Sequence, residues 1–124
     1  MKEIKAYVRE VMLEQVMSAL ADIDGIPGIA VVHLREYGHV QDGGLERVKM
    51  AKLEIDVPEA LADRVVDAIV ASARTGEGHL GDGKVFISDL RDAIRISDGQ
   101  RNENAVRHSP KAGDSDEGAR PRRS

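Results

Sequence analysis

At 124 residues with a formal charge of −4 and no cysteine, the chain has the size of a single domain and excludes disulfide scaffolds, thiolate nucleophiles and cysteine-based metal centres. Its acidity argues against nucleic acid as the main ligand of the folded body, because the basic excess lies in a polar C-terminal stretch: Arg101, Arg107, Lys111, Arg120, Arg122 and Arg123 against Glu103, Asp114, Asp116 and Glu117. Met1 to Lys5 lacks the apolar run of a secretory signal and no segment approaches a membrane span, so a reducing cytoplasm is the expected location and no membrane insertion is expected.

Ile4, Ala6 and Val8 alternate with Lys5, Tyr7 and Arg9, which predicts a half-buried first strand. Leu13, Val16, Leu20 and Ile23 then recur at helical spacing, and Gly25, Pro27 and Gly28 stop that helix. Ile29 to Tyr37 is rich in β-branched residues and predicts a second strand; Leu53, Ile55 and Val57 alternate with charged neighbours in a third. Gly38, Asp42, Gly43 and Gly44 mark the turn between them, so the two strands form a hairpin. Pro58 and Glu59 suit a first helical turn, and Leu61, Val65, Ile69 and Ala73 form the apolar stripe of a second helix. Lys84 to Ile87 predicts a fourth strand, and Leu90, Ile94 and Ile96 a further extended or mixed piece. The order β-α-β-β-α-β implies an α+β, ferredoxin-like antiparallel sheet with two helices on one face. The other face of such a sheet stays open. With one Phe, two Tyr and no Trp the core is aliphatic and modest, so a homo-oligomer that covers the open face is expected. Residues 1–99 form the expected domain; residues 100–124, without apolar periodicity, read as a disordered polar tail.

The segment Thr75-Gly76-Glu77-Gly78-His79-Leu80-Gly81-Asp82-Gly83-Lys84 has the makings of an anion cradle. Glycines let backbone N–H groups turn toward one point and let a phosphate approach closely, while the lysine adds a mobile charge. Gly78, four residues and Gly83-Lys84 imitate the start of a P-loop, but Val85 stands where the Mg²⁺-binding hydroxyl is required. A helix also precedes this loop and a strand follows it, the reverse of the P-loop order. An NTPase is therefore not expected.

The Ala73-Arg74-Thr75-Gly76, Gly81-Asp82-Gly83-Lys84-Val85-Phe86-Ile87 and Ala93-Ile94-Arg95-Ile96 blocks, with Met1 to Ala6 and Leu13 to Asp22, resemble the PII signal-transduction family over roughly the first hundred residues. That resemblance implies a homotrimeric, cytoplasmic regulator with ATP, ADP or AMP bound between subunits, with or without Mg²⁺, and a target protein such as a membrane transporter. It implies that Gly81, Asp82 and Gly83 present N–H groups to phosphate, that Lys84 neutralises it and that Arg95 clamps it. Tyr37 and Gly38 fall where the family's signalling loop begins. Ile29, Ala30, Glu54, Ile55 and Asp56 fall near the adenine.

Departures from the family pattern carry their own implications. Gly38 to Arg47 leaves a short loop without tyrosine, which excludes control by tyrosine uridylylation. Val40, with Gln41 beside it, stands at the glutamine that helps the family bind Mg-ATP with 2-oxoglutarate, and Met50, or Lys49 after a one-place shift, stands at a lysine. Ser97 replaces a second phosphate-facing arginine and Ala30 the threonine that reads adenine, so ADP or AMP is expected to compete well with ATP. The glycine loop is two residues longer than usual, at Glu77 to Leu80.

Two other readings belong to different classes. A trimer resembling CutA, acting in metal tolerance or metal efflux, would use His33 or His39; the spacing of His33, His39, His79 and His108 matches no metal motif, and no metal site is expected. An RNA-binding ferredoxin-like domain would need stacking aromatics on its central strands, which are missing. No nucleophile motif and no paired His and carboxylate points to an enzyme.

Overall fold

The computed structural model describes residues 1–108. Its elements are β1 (Lys2–Arg9), α1 (Leu13–Ala21), β2 (Ala30–His39), β3 (Leu45–Val57), α2 (Glu59–Ala73) and β4 (Gly83–Asp89), with single 3-10 turns at Glu10–Met12, Leu80–Asp82 and Asn102–Asn104. The strands form one antiparallel sheet in the order β2-β3-β1-β4, so the expected β-α-β-β-α-β architecture is present.

Strand alternation decides what is buried. Ile4, Ala6 and Val8 of β1 and Ala51, Leu53, Ile55 and Val57 of β3 are buried in one cluster with Val16 and Leu20 of α1 and Val65 and Ile69 of α2. Tyr7 and Phe86 lie on the opposite face, edge to face with ring centroids 6.0 Å apart, and Phe86 remains 52% exposed. The sheet face that carries this aromatic pair is left uncovered by the helices.

Several boundaries differ from the sequence reading. The first helix ends at Ala21, before Ile23, whose N–H bonds the Leu20 carbonyl as the last turn tightens. The hairpin zips further than expected, with pairs from Ala30 opposite Glu54 out to His39 opposite Leu45, because Gly43 and Gly44, both at positive φ, turn the chain within a few residues. Leu90 to Ile96 forms no strand; its only ladder contact among the described residues is the Ile94–Arg101 bridge.

The tail that was expected from Gln100 onward needs correcting up to His108. Asn102 N–H donates to the Ala93 carbonyl, its side chain accepts from Ala93 N–H, and Val106 is buried at 5% exposure. Val106, with only Ala105 beside it in a polar run, leaves no periodic signal, yet it is enough to anchor a short strap. Residues 109–124 lie outside the described residues. Ending the chain at Gln100 removes the Val106 burial and the Asn102 bonds; we expect a loss of about 2 kcal/mol and a melting temperature lower by several degrees. An unchanged melting curve would show that the strap contributes nothing.

Candidate functional site

Between α2 and β4 the glycine loop folds around one carboxylate. Asp82 Oδ2 accepts from Thr75 N–H at 3.0 Å and His79 N–H at 2.9 Å; Oδ1 accepts from the Thr75 hydroxyl at 2.6 Å and from Arg9 Nε at 3.2 Å. The Thr75 hydroxyl above all, then the two N–H groups and Arg9, hold the Asp82 carboxyl well below the usual carboxylate range. Four donors on one side chain tie both ends of the loop together, and Gly76 and Gly78 take the positive φ values that this path demands.

This arrangement changes the part expected of Asp82. Its backbone N–H donates to the His79 carbonyl at 2.9 Å, so it is not a free donor for phosphate. Asp82 instead shapes the loop that Gly81 and Gly83 belong to. Thr75 and Arg9, which the sequence reading did not single out as site residues, complete that device. Thr75 was visible only as part of a family-like block, and Arg9 as the last residue of a strand.

Lys84, opposite Tyr7, is exposed. Register places Ala30, Gly38, Glu54, Asp56 and Lys84 on the open face, whereas Tyr37 and Ile55 have the opposite parity. Ile55 is fully buried in the helix-facing core, which corrects its expected place beside a ligand: its two neighbours face out, so it must face in. Ile29, Ala30, Glu54 and Asp56 line one groove together with Ile94 and Val106. Asp82, Gly83 and Lys84 line another, of about 620 Å³, against the apolar residues Ile69, Val70 and Val85 of α2 and β4. Within one protomer these grooves are separate. Arg95 lines neither groove; its Nε and Nη2 donate to the two Asp98 oxygens at 3.0 and 2.8 Å, a forked pair that raises the guanidinium pKa and lowers that of the carboxyl.

The open face carries an acidic trio at the first groove. Burial, and then the neighbouring Glu3 and Glu54, push the Asp56 carboxyl up to about 6, and Asp56 Oδ1 is buried without a hydrogen-bond partner. A carboxyl whose folded pKa is raised costs nothing below its ordinary value near pH 4 and exerts its full cost above pH 6. Asp56→Asn is therefore expected to stabilise the protein at pH 7.5, by about 1 kcal/mol after solvent screening, and to lose that advantage by pH 4. Parallel melting curves at the two pH values check this; an equal gain at both would assign the effect to something other than ionisation.

Comparison with known proteins bears on the same features. The family described as "Nitrogen regulatory protein P-II" matches residues 1–100. The chain belongs to the P-II family. It is 37% identical over 116 residues to the nitrogen regulatory protein P-II of Haemophilus influenzae and 40% identical to that of Nostoc punctiforme, in each case with 86% of this chain and all of the relative aligned. A solved structure titled "Crystal Structure of Arabidopsis thaliana PII bound to citrate" superposes with a TM-score of 0.70 at 38% identity, over 84% of this chain and 90% of that one. P-II proteins are non-enzymatic signal-transduction regulators that bind adenine nucleotides and form trimers. This membership sets aside the CutA-like reading. Among the described residues no group of three metal-ligating side chains converges, and His33 pairs instead with Glu10 at 3.2 Å. No described helix is long and apolar enough to cross a membrane.

Proposed function

We propose that this P-II protein is a homotrimeric adenine-nucleotide sensor that controls a target protein, such as a membrane transporter, by nucleotide-dependent binding. The observation that carries the reading is the glycine loop. It is held rigid from inside by Asp82 while Lys84 stays exposed beside it, which is preorganisation for an anion. Ala30, Glu54 and Asp56 would receive the adenine and ribose end, with Ile29 at the groove wall and Tyr37 and Gly38 at the root of the contact hairpin. Separation of the two grooves within one protomer supports a nucleotide shared between neighbours in a trimer. Arg95 would join the phosphate site only by leaving Asp98, so nucleotide binding and the conformation of residues 94–101 would be coupled.

Calorimetric titration with ATP, ADP and AMP, with and without Mg²⁺, on protein whose mass is measured by light scattering tests this reading. Saturable micromolar binding to a trimer is expected. A well-folded trimer that binds none of the three would overturn it.

A further inference from the structure

The β2–β3 hairpin runs on past the helices, and its two faces carry opposite charges. Register puts Arg35 and Tyr37 of β2 and Leu45, Arg47 and Lys49 of β3 on the side that Ala51 and Leu53 turn toward α1 and α2, and puts Glu36 and Glu46 on the other. The helices do not reach that far: all five residues on their side of the hairpin are exposed. A homo-oligomer closed through the open face of the sheet leaves this side free.

Arg35 lies directly opposite Lys49, and Arg47 is the next residue along that face, roughly 7 Å from Lys49. Like charges directly across a ladder destabilise it. None of the three cations has a carboxylate within ion-pair distance among the described residues, whereas Lys2, Lys5 and Lys52 are each paired. Glu10, which shares a groove with Arg35 and Lys49, pairs with His33 instead. Three cations gathered without acids, on a chain of net charge −4, form a patch that composition does not explain.

Carboxylates brought up to this face relieve the repulsion and accept from two guanidinium forks and an ammonium. Tyr37, opposite Arg47, and Leu45 add the aromatic and apolar contact typical of a protein interface. The patch is only two strands wide, with Glu36 and Glu46 directly behind it. That shape suits a short extended segment better than a flat anionic bilayer, whose charge would reach round to those acids. We propose that the helix-side face of the β2–β3 hairpin docks an acidic segment of the target protein, with Arg35, Arg47 and Lys49 pairing its carboxylates and Tyr37 and Leu45 packing against its chain. The proposal rests on the reading of this chain as a regulator that binds a target, and deepens it by naming the surface and the partner's chemistry.

Binding of a fluorescein-labelled octaglutamate peptide is measured by anisotropy on the full chain and on Arg35→Ala/Arg47→Ala/Lys49→Ala. Two further variants are the charge-keeping Arg35→Lys/Arg47→Lys/Lys49→Arg and Arg64→Ala/Arg91→Ala, which removes two exposed cations elsewhere. We expect the triple-alanine variant to bind roughly tenfold more weakly or worse, the other two to bind as the full chain does, and added salt to weaken binding steeply. Because the three cations repel one another in the free protein, the triple-alanine variant should melt no lower than the parent. A triple-alanine variant that binds like the parent, or equal weakening in Arg64→Ala/Arg91→Ala, overturns the proposal. So does binding of phosphatidylserine vesicles through the same three residues with no binding of the peptide. ATP is titrated into the same samples. Peptide binding without nucleotide binding would keep the docking face and reject the nucleotide-sensor reading; nucleotide binding without peptide binding would do the reverse.

Discussion

Replacing Gly83 by alanine should prevent stable folding. Gly83 opens β4 at φ +111°, and an ideal Cβ there would lie 1.7 Å from the Tyr7 carbonyl oxygen and 2.8 Å from its carbon. Tyr7 belongs to β1, a central strand paired on both sides, so its carbonyl cannot retreat without breaking two ladders. The added methyl must therefore displace β4, the edge strand that carries Phe86 and Lys84. A cost of about 4 kcal/mol or more is expected, beyond the range of most single substitutions and a large part of a small domain's stability. Thermal unfolding followed by circular dichroism, with soluble yield, checks it. Gly43→Ala is the control: its φ is +88° but nothing lies within 4 Å of the new Cβ, so only backbone strain of about 1 kcal/mol is expected. A Gly83→Ala protein that melts like the parent would mean that β4 does not pack against β1 as described.

Lys84→Ala should lower nucleotide affinity by roughly two orders of magnitude, the loss of a strong charge-assisted contact to phosphate, without moving the melting temperature or the oligomer mass. Lys84 is exposed, it follows directly on the pinned loop, and no described carboxylate neutralises it. Its neighbours in the sheet fare differently: Lys5 and Lys52 are paired with Glu3 and Glu54. A cation kept free beside a rigid glycine loop has little structural purpose, so its removal should separate binding from stability. Unchanged affinity in calorimetry would remove Lys84 from the phosphate site; a lower melting temperature would give it a structural role instead.

Most of the architecture was legible before any coordinates. Period-two alternation at Ile4, Ala6 and Val8 and at Leu53, Ile55 and Val57, and the helical stripe Leu61, Val65, Ile69 and Ala73, gave element type because burial imposes those periods directly. The glycine loop and its lysine were legible from local composition: Gly78 and Gly83, at φ +112° and +111°, take values that side-chain-bearing residues rarely adopt. The end of the order was not. Val106 has only Ala105 beside it in a polar run, and the groove it lines is built by residues far away in sequence, Ile29 and Glu54 among them.

Sequence by itself determined the family, the strand and helix order and the chemical character of the glycine loop, since each depends on residues close together in the chain or on side-chain period. Tertiary structure alone decided which members of the candidate set share a face, that Ile55 is core, that Asp82 binds the loop rather than the ligand, and that Arg95 is held by Asp98. Register, strand length and side-chain partnership are long-range quantities: a one-residue slip exchanges the two faces of every strand, and only packing against the rest of the molecule selects the register.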